Sequence, residues 1–312
     1  MVSLQDIIDS HGRIEKLVHR TPILTNLGLN ELIGAQIYCK CENFQKTGAF
    51  KFRGASNAVE LLSEKELARG VATASSGNHG AALAKAVTRK NGNVTVVMPN
   101  NSSLKKVDNV RRNGGEIIWC EPFQESREKV LNDFINKTGA VVIHPYNDER
   151  IIAGQGTAAL EFLQDCSDLD VIITPLSGGG LLSGTLCAVK NMKPEIMVYG
   201  AEPEEADDAF RSLSAGERLG NETTNTICDG LRAQIGMINF PIIQKLVDGI
   251  IILSEMEIIS SMKMVFERMK IVIEPSSSIV LAAALKNKKE FSGKNVGLIF
   301  SGGNIDCDDL PW

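Results

Sequence analysis

Three times along this chain a short apolar run stops at a cluster of serine, glycine and asparagine: VATA meets SSGNHG at 75–80, VIITP leads into SGGG at 177–180, and VGLIF meets SGGN at 301–304. Such runs read as buried strands, and a helical pattern follows the first two, so each loop hands a strand over to a helix. The alternation continues elsewhere. Strand Val94–Met98 closes the first βαβ unit; helix 104–113, strand 116–120, helix 126–138 and strand 140–144 follow, and then helix 154–165. After strand 171–175 come helix 181–190, strand 197–201, helices 257–270 and 278–286, and strand 296–300. Strand and helix in alternation predict an α/β protein with parallel sheets. There is no internal repeat or long linker, so any division is between interleaved lobes, crossed near Gly70 and Asp148: residues 1–69 with 149–312 as a large lobe, and 70–148 as a small one.

Ligands of open α/β sheets bind at the C-terminal ends of strands, which is where these loops lie. In SSGNHG, the glycines let backbone N–H groups approach a ligand and the helix dipole favours an anion. Ser75, Ser76, Asn78 and His79 add hydroxyl, amide and imidazole groups, a set suited to a carboxylate, although a plain turn explains the same composition. The run Ser177, Gly178, Gly179, Gly180 at a helix start makes a phosphate cradle of backbone amides. It fits neither the P-loop nor the dinucleotide fingerprint. Taken alone, SGGN is explained by a turn.

The reactive candidate is Lys51 in QKTGAFKFRGA. No acidic residue lies between Glu42 and Glu60, while Lys46, Lys51 and Arg53 are close together. Thr47 reads as a helix cap and Gly48 as the entry turn, which puts Lys51 in the first turn. Neighbouring cations and the positive end of a helix dipole depress an ammonium pKa, and a depressed lysine forms Schiff bases. The alternative is an ordinary basic helix face.

Composition excludes other classes. With 43% hydrophobic residues, 23% charged residues and a net charge of -5, nothing calls for nucleic acid or an anionic membrane as partner. No stretch approaches the ~20 apolar residues of a bilayer span, and no basic flank precedes an apolar run at the N-terminus. An intracellular, cytoplasmic protein with a small-molecule partner is expected. Seven cysteines without a CxxC pair suit neither zinc nor a disulfide framework.

The set KTGAFKFRGA, SSGNHG, IAGQGT, SGGGLLSG, AEPEEADDA, IEPSS and SGGN resembles the fold-type II pyridoxal-phosphate enzymes (tryptophan synthase β-like), in the branch of the serine racemases and serine/threonine dehydratases. The resemblance spans nearly the whole chain. It implies two lobes, each with a mostly parallel twisted sheet flanked by helices, and a homodimer. It makes Lys51 the Schiff-base lysine with Phe50 beside the cofactor ring. The phosphate falls to Ser177, Gly178, Gly179 and Gly180, the phenolic oxygen to Asn78 and the pyridine nitrogen to Ser301; Gly230 and Glu274 complete the cofactor pocket. Ser75, Ser76, Asn78 and His79 are implied to grip the substrate carboxylate, and Arg127 to reach the substrate from the small lobe.

The same resemblance implies that Lys51 takes the α-proton from one face while Ser76, alanine in dehydratase-only relatives, serves the opposite face. Either the enantiomer forms, or the β-hydroxyl leaves and pyruvate and ammonia follow. Three readings stand: a serine racemase and dehydratase, a threonine or threo-3-hydroxyaspartate dehydratase, and a binding protein keeping the fold. No regulatory domain follows Ser301, which speaks against an allosteric threonine enzyme, and retention of Lys51 speaks against the third reading. A divalent cation, magnesium or calcium, is implied at Glu202, the Ala206 carbonyl and Asp208. Of the ATP-site pattern, Lys46 and Thr47 are kept, whereas Asn26, Leu27 and Ala81 depart from it, leaving ATP open as an effector.

Overall fold

The computed structural model describes residues 2–308 and 310–312. Its strands are β1 (Ile23–Leu24), β2 (Gln36–Cys41), β3 (Val71–Ala74), β4 (Val94–Pro99), β5 (Glu116–Cys120), β6 (Val141–Val142), β7 (Val171–Pro175), β8 (Met197–Pro203), β9 (Gly249–Leu253) and β10 (Asn295–Phe300). They form a six-stranded sheet in the order β1-β2-β10-β7-β8-β9 and a four-stranded sheet in the order β5-β4-β3-β6. Every pairing is parallel except β1 with β2. The expected α/β fold with parallel sheets is present. β9 was not among the expected strands, and β6 is shorter than residues 140–144.

Side-chain alternation gives the larger sheet a core on each face. Val171 and Ile173 join one cluster with Ile37, Val296 and Leu298, whereas Ile172 and Ile299 join another with Phe162 and Leu182. A third cluster covers the smaller sheet, and it draws Phe52, Ala55 and Val59 of helix Lys51–Glu60 together with Leu83, Val96 and Val110. The lysine helix is therefore wedged into the core of the smaller sheet.

Its other contact is a close helix crossing. A β-carbon on Gly154 would fall 2.6 Å from Gly54 Cα, and one on Gly184 would fall 2.6 Å from the Gly156 nitrogen. The glycines of IAGQGT thus let helix Glu149–Asp165 pack tightly against helices Lys51–Glu60 and Gly180–Met192. They fix the element that carries Lys51 relative to the element that follows SGGG.

Candidate active site

Lys51 opens its helix, but the local build differs from the expected cap. Thr47 stands in the left-handed region at φ 63 and caps nothing. Its carbonyl instead accepts from Asn304 Nδ2 at 2.8 Å and from Asn109 Nδ2 at 3.1 Å. The Lys51 amine donates to the Pro145 carbonyl at 3.0 Å and lies 5.0 Å from the centre of the Phe50 ring. Burial pushes its pKa down to about 8, against an opposing pull from Glu274. The depression is as expected, but its cause is not the neighbouring cations. Arg53 is fully buried and its guanidinium is spent on Glu42 and Glu161, so its charge is cancelled locally. Lys40 completes that four-ion cluster through Glu161 at 2.9 Å.

Around SSGNHG the donors are arranged for an anion. Ser75 Oγ accepts from the amides of Gly77 at 3.2 Å and Gly80 at 3.0 Å, so this hydroxyl shapes the loop. Ser76 is exposed, and the amides of Ser76, Asn78 and His79 have no acceptor among the described residues. His79 lies beneath the loop, its Nε2 3.2 Å from the Ile143 carbonyl. Burial, reinforced by the Lys51 charge, pushes its pKa down to about 3, so it is a neutral ring. His144 is likewise pushed down to about 4, by burial and then Lys51.

The glycine run lies beside this centre. Gly179 is left-handed at φ 90, and a β-carbon on Gly178 would fall 2.4 Å from the Tyr146 ring. Tyr146 follows Pro145, the residue that holds the Lys51 amine, so the SGGG loop and the lysine are tied through two adjacent residues. Amides of Gly178, Gly179 and Gly180, at the start of helix Gly180–Met192, find no acceptor among the described residues. A buried cluster of orphan N–H groups is costly unless an anion fills it. Ser177 Oγ is engaged with the Ala233 backbone at 3.0 Å.

The third loop closes the circle. Phe50 N donates to the Ser301 carbonyl at 2.9 Å, and the Ser301 hydroxyl, 4% exposed as a residue, has no hydrogen-bond partner among the described residues. Asn304 Nδ2 donates to Asn78 Oδ1 at 2.9 Å, while Asn78 Nδ2 donates to Glu274 Oε1 at 2.7 Å. Three loops far apart in the chain thus surround one lysine.

The family model described as "Pyridoxal-phosphate dependent enzyme" matches residues 14–302. The chain belongs to that family. Serine racemase of Arabidopsis thaliana is 47% identical over 309 residues, covering 97% of this chain and 93% of its own. The beta-hydroxyaspartate dehydratase of Paracoccus denitrificans (strain Pd 1222) is 45% identical over 308 residues, covering 99% and 98%. The structure of maize serine racemase superposes with a TM-score of 0.96 at 42% identity, covering 98% of this chain and 95% of that one.

The donor set suits the family's cofactor. Unpaired amides at a helix N-terminus match a phosphate, a primary amine held near neutrality matches an aldehyde, and a free serine hydroxyl matches an uncharged ring nitrogen. Gly230 offers less, since its amide already donates to Ser276 Oγ at 3.0 Å. Arg127 Nε is buried without a partner among the described residues. Away from the lysine, the Glu202 carboxylate accepts from the amides of Ala209 at 3.2 Å and Phe210 at 2.9 Å. Asp208 Oδ2 accepts from Ile235 N at 2.7 Å, and its Oδ1 is buried without a hydrogen-bond partner among the described residues. Both pKa values are raised, chiefly by burial, Asp208 to about 6.

Sequence reasoning passed over Lys106, Asp229, Asn304, Pro145 and Tyr146. Lys106 sits in LKKVDNVRR, whose charge pattern reads as a solvated face, yet the residue is only 5% exposed. Nothing local marks it; the signal is Gly77, whose missing side chain leaves room for the lysine stem.

Proposed function

We propose that this enzyme interconverts the enantiomers of a serine-like β-hydroxy amino acid and eliminates its β-hydroxyl to release ammonia. The observation that carries this reading is the pairing of an amine held near neutrality at Lys51 with an exposed, unengaged hydroxyl at Ser76. The high identity to serine racemases supports it. Pyridoxal phosphate, when bound, withdraws electrons from the substrate α-carbon and so acidifies its hydrogen. In the proposal, the amides of Gly178, Gly179 and Gly180 and the Ser177 region hold the phosphate, Phe50 lines the ring, and the Ser301 hydroxyl donates to the uncharged ring nitrogen. Amides of Ser76, Asn78 and His79 bind the substrate carboxylate. Lys51 moves the α-proton on one face and Ser76 on the other. Glu274 orients Asn78, and residues 70–148 act as the small lobe of a homodimer subunit.

A second reading is favoured by Arg127, whose buried, unpaired Nε suits a β-carboxylate, and by the Paracoccus relative: dehydration of threo-3-hydroxyaspartate. Incubation with L-serine, L-threonine and threo-3-hydroxyaspartate, reading D-serine and keto acid, separates the two. D-serine from L-serine supports the first; keto acid from hydroxyaspartate alone replaces it with the second. Lys51→Ala must abolish both products and the visible absorption of the bound cofactor. A divalent cation at Glu202, Ala206 and Asp208 and an ATP effector are tested by repeating the assay with chelator, with magnesium or calcium, and with ATP.

A further inference from the structure

Lys106 lies on helix Leu104–Arg112, and its stem covers the carboxylate loop: a β-carbon on Gly77 would fall 2.4 Å from Lys106 Cδ. Its ammonium leaves the body of the smaller sheet and meets two carboxylates, Asp229 at 2.5 Å and Glu274 at 3.6 Å. Glu274 is 2% exposed and takes the Asn78 Nδ2 hydrogen bond. Its Oε2 has no hydrogen-bond partner among the described residues, and the Lys106 charge faces it there.

A primary amide offers two N–H donors and one carbonyl acceptor. In Asn78 the carbonyl is taken by Asn304 and one N–H by Glu274, which leaves one N–H to give. That polarity is compelled only while Glu274 is ionised and can do nothing but accept. A protonated Glu274 keeps one acceptor oxygen but gains an O–H donor, so the amide would be free to turn, its carbonyl accepting from that O–H and facing the pocket, where it repels an anionic oxygen. We propose that Lys106 is a positioning residue of this active site: by keeping Glu274 anionic it locks Asn78 with an N–H available to the bound cofactor and substrate. The inference rests on the reading of the pocket as a pyridoxal-phosphate site.

The charges around Glu274 support it. Its pKa is raised to about 7, chiefly by burial, with Lys106 and Asn78 pulling it down and Asp229 pushing it up. Lys51 also feels the Glu274 charge, and the nearby Cys228 thiol is buried and neutral, its pKa raised well above the ordinary value. Removing the Lys106 charge therefore moves Glu274 upward and leaves it protonated at neutral pH. The raised carboxyl gives the sign: the locked state is lost as pH falls through about 7 in the native protein, and at a higher pH without Lys106.

The test uses the full chain, reading both the dissociation constant for pyridoxal phosphate and the visible absorption of the bound cofactor against pH. Lys106→Met keeps a stem over Gly77 and removes the charge. Its affinity is expected to match the native protein at pH ~6, to fall about tenfold at pH ~8, and its transition to move up by roughly one unit. Lys106→Arg is expected to keep the native transition. Glu274→Gln retains an acceptor and removes the titrating group, so the transition near neutrality disappears, whether or not Lys106→Met folds. Equal loss at both pH values, an unmoved transition in Lys106→Met, or a transition surviving Glu274→Gln each overturns the proposal. Failure of the underlying reading looks different: the native protein then binds no pyridoxal phosphate and shows no visible band.

Discussion

The Nζ of Lys51 lies 3.0 Å from the carbonyl oxygen of Pro145, a neutral acceptor where an ordinary buried lysine has a carboxylate. Burial without a paired anion is what lowers its pKa to about 8, and the effect is measurable in the cofactor-free protein. Trace labelling with acetic anhydride is expected to give a Lys51 reactivity midpoint near pH 8, against ~10.4 for a free lysine. A midpoint near the free value would remove the case for a pre-activated amine.

The same shift makes a stability prediction. A base whose folded pKa is depressed holds fewer protons folded than unfolded, so it costs stability at neutral pH and the cost fades as pH rises through the folded and then the unfolded value. Lys51→Met is therefore expected to stabilise the cofactor-free protein at pH ~7 by on the order of 1–3 kcal/mol, with the gain vanishing above pH ~10.4, while abolishing turnover. Urea melts at the two pH values check it, and a gain independent of pH would point to packing instead.

Arg53 tests the corrected account of that lysine. Its guanidinium makes 2.8 Å bonds to both Glu42 and Glu161, and no part of it is exposed. Arg53→Leu would strand the buried Glu42 carboxylate and leave Glu161 with Lys40 as its remaining cation, at a cost of about 3–5 kcal/mol. The Lys51 midpoint is expected to stay within about half a unit in any folded fraction, because burial and the Glu274 charge, rather than Arg53 or its partners, set it. A large upward move would restore Arg53 as a cation acting on Lys51.

The contrast between these two residues shows what the sequence carries. The alternation of apolar runs and amphipathic stretches is local, and β5 and β7 fall at the residues the pattern marks. The three loops are likewise legible, because glycine at a strand end is a local signal with a physical reason. Partnerships are another matter. Arg53 meets Glu161 across 108 residues, and Lys106 meets Asp229 across 123, so neither pairing leaves a trace in the spacing. Thr47 looks like a cap only until Asn304, 257 residues away, takes its carbonyl. GIIIL of β9 fills an edge of the larger sheet, where register with β8 rather than alternation decides its place.

Glu202 and Asp208 make the cation testable. Two buried carboxylates repel each other, and Asp208 Oδ1 has no hydrogen-bond partner among the described residues, so a hard divalent ion with its waters relieves both costs. Chelation is expected to lower the melting temperature and activity, with magnesium or calcium restoring both. In Glu202→Gln with Asp208→Asn, melting should be indifferent to chelator and metal. If the native protein is equally indifferent, the pair is a buried hydrogen-bonded turn and holds no ion.

Ser76 separates racemisation from elimination. Ser75 is occupied, its oxygen accepting two loop amides, whereas Ser76 is exposed with no bond to any described residue. If Lys51 serves one face of the α-carbon and Ser76 the other, Ser76→Ala leaves Lys51 able to take the proton of L-serine. Pyruvate from L-serine should then persist within about threefold, while D-serine dehydration and D-serine formation fall by roughly 10²–10⁴, the range for a lost acid–base group. A serine hydroxyl is a weak base, so the neighbouring loop amides or a bound water must assist it. Were Ser76 instead only a hydrogen-bond donor to the substrate carboxylate, both enantiomers would lose affinity alike and KM would rise with kcat unchanged. Measuring kcat and KM for L- and D-serine in the one variant decides between these: a loss confined to kcat for the D-enantiomer supports the two-face arrangement, and an equal rise in KM for both rejects it.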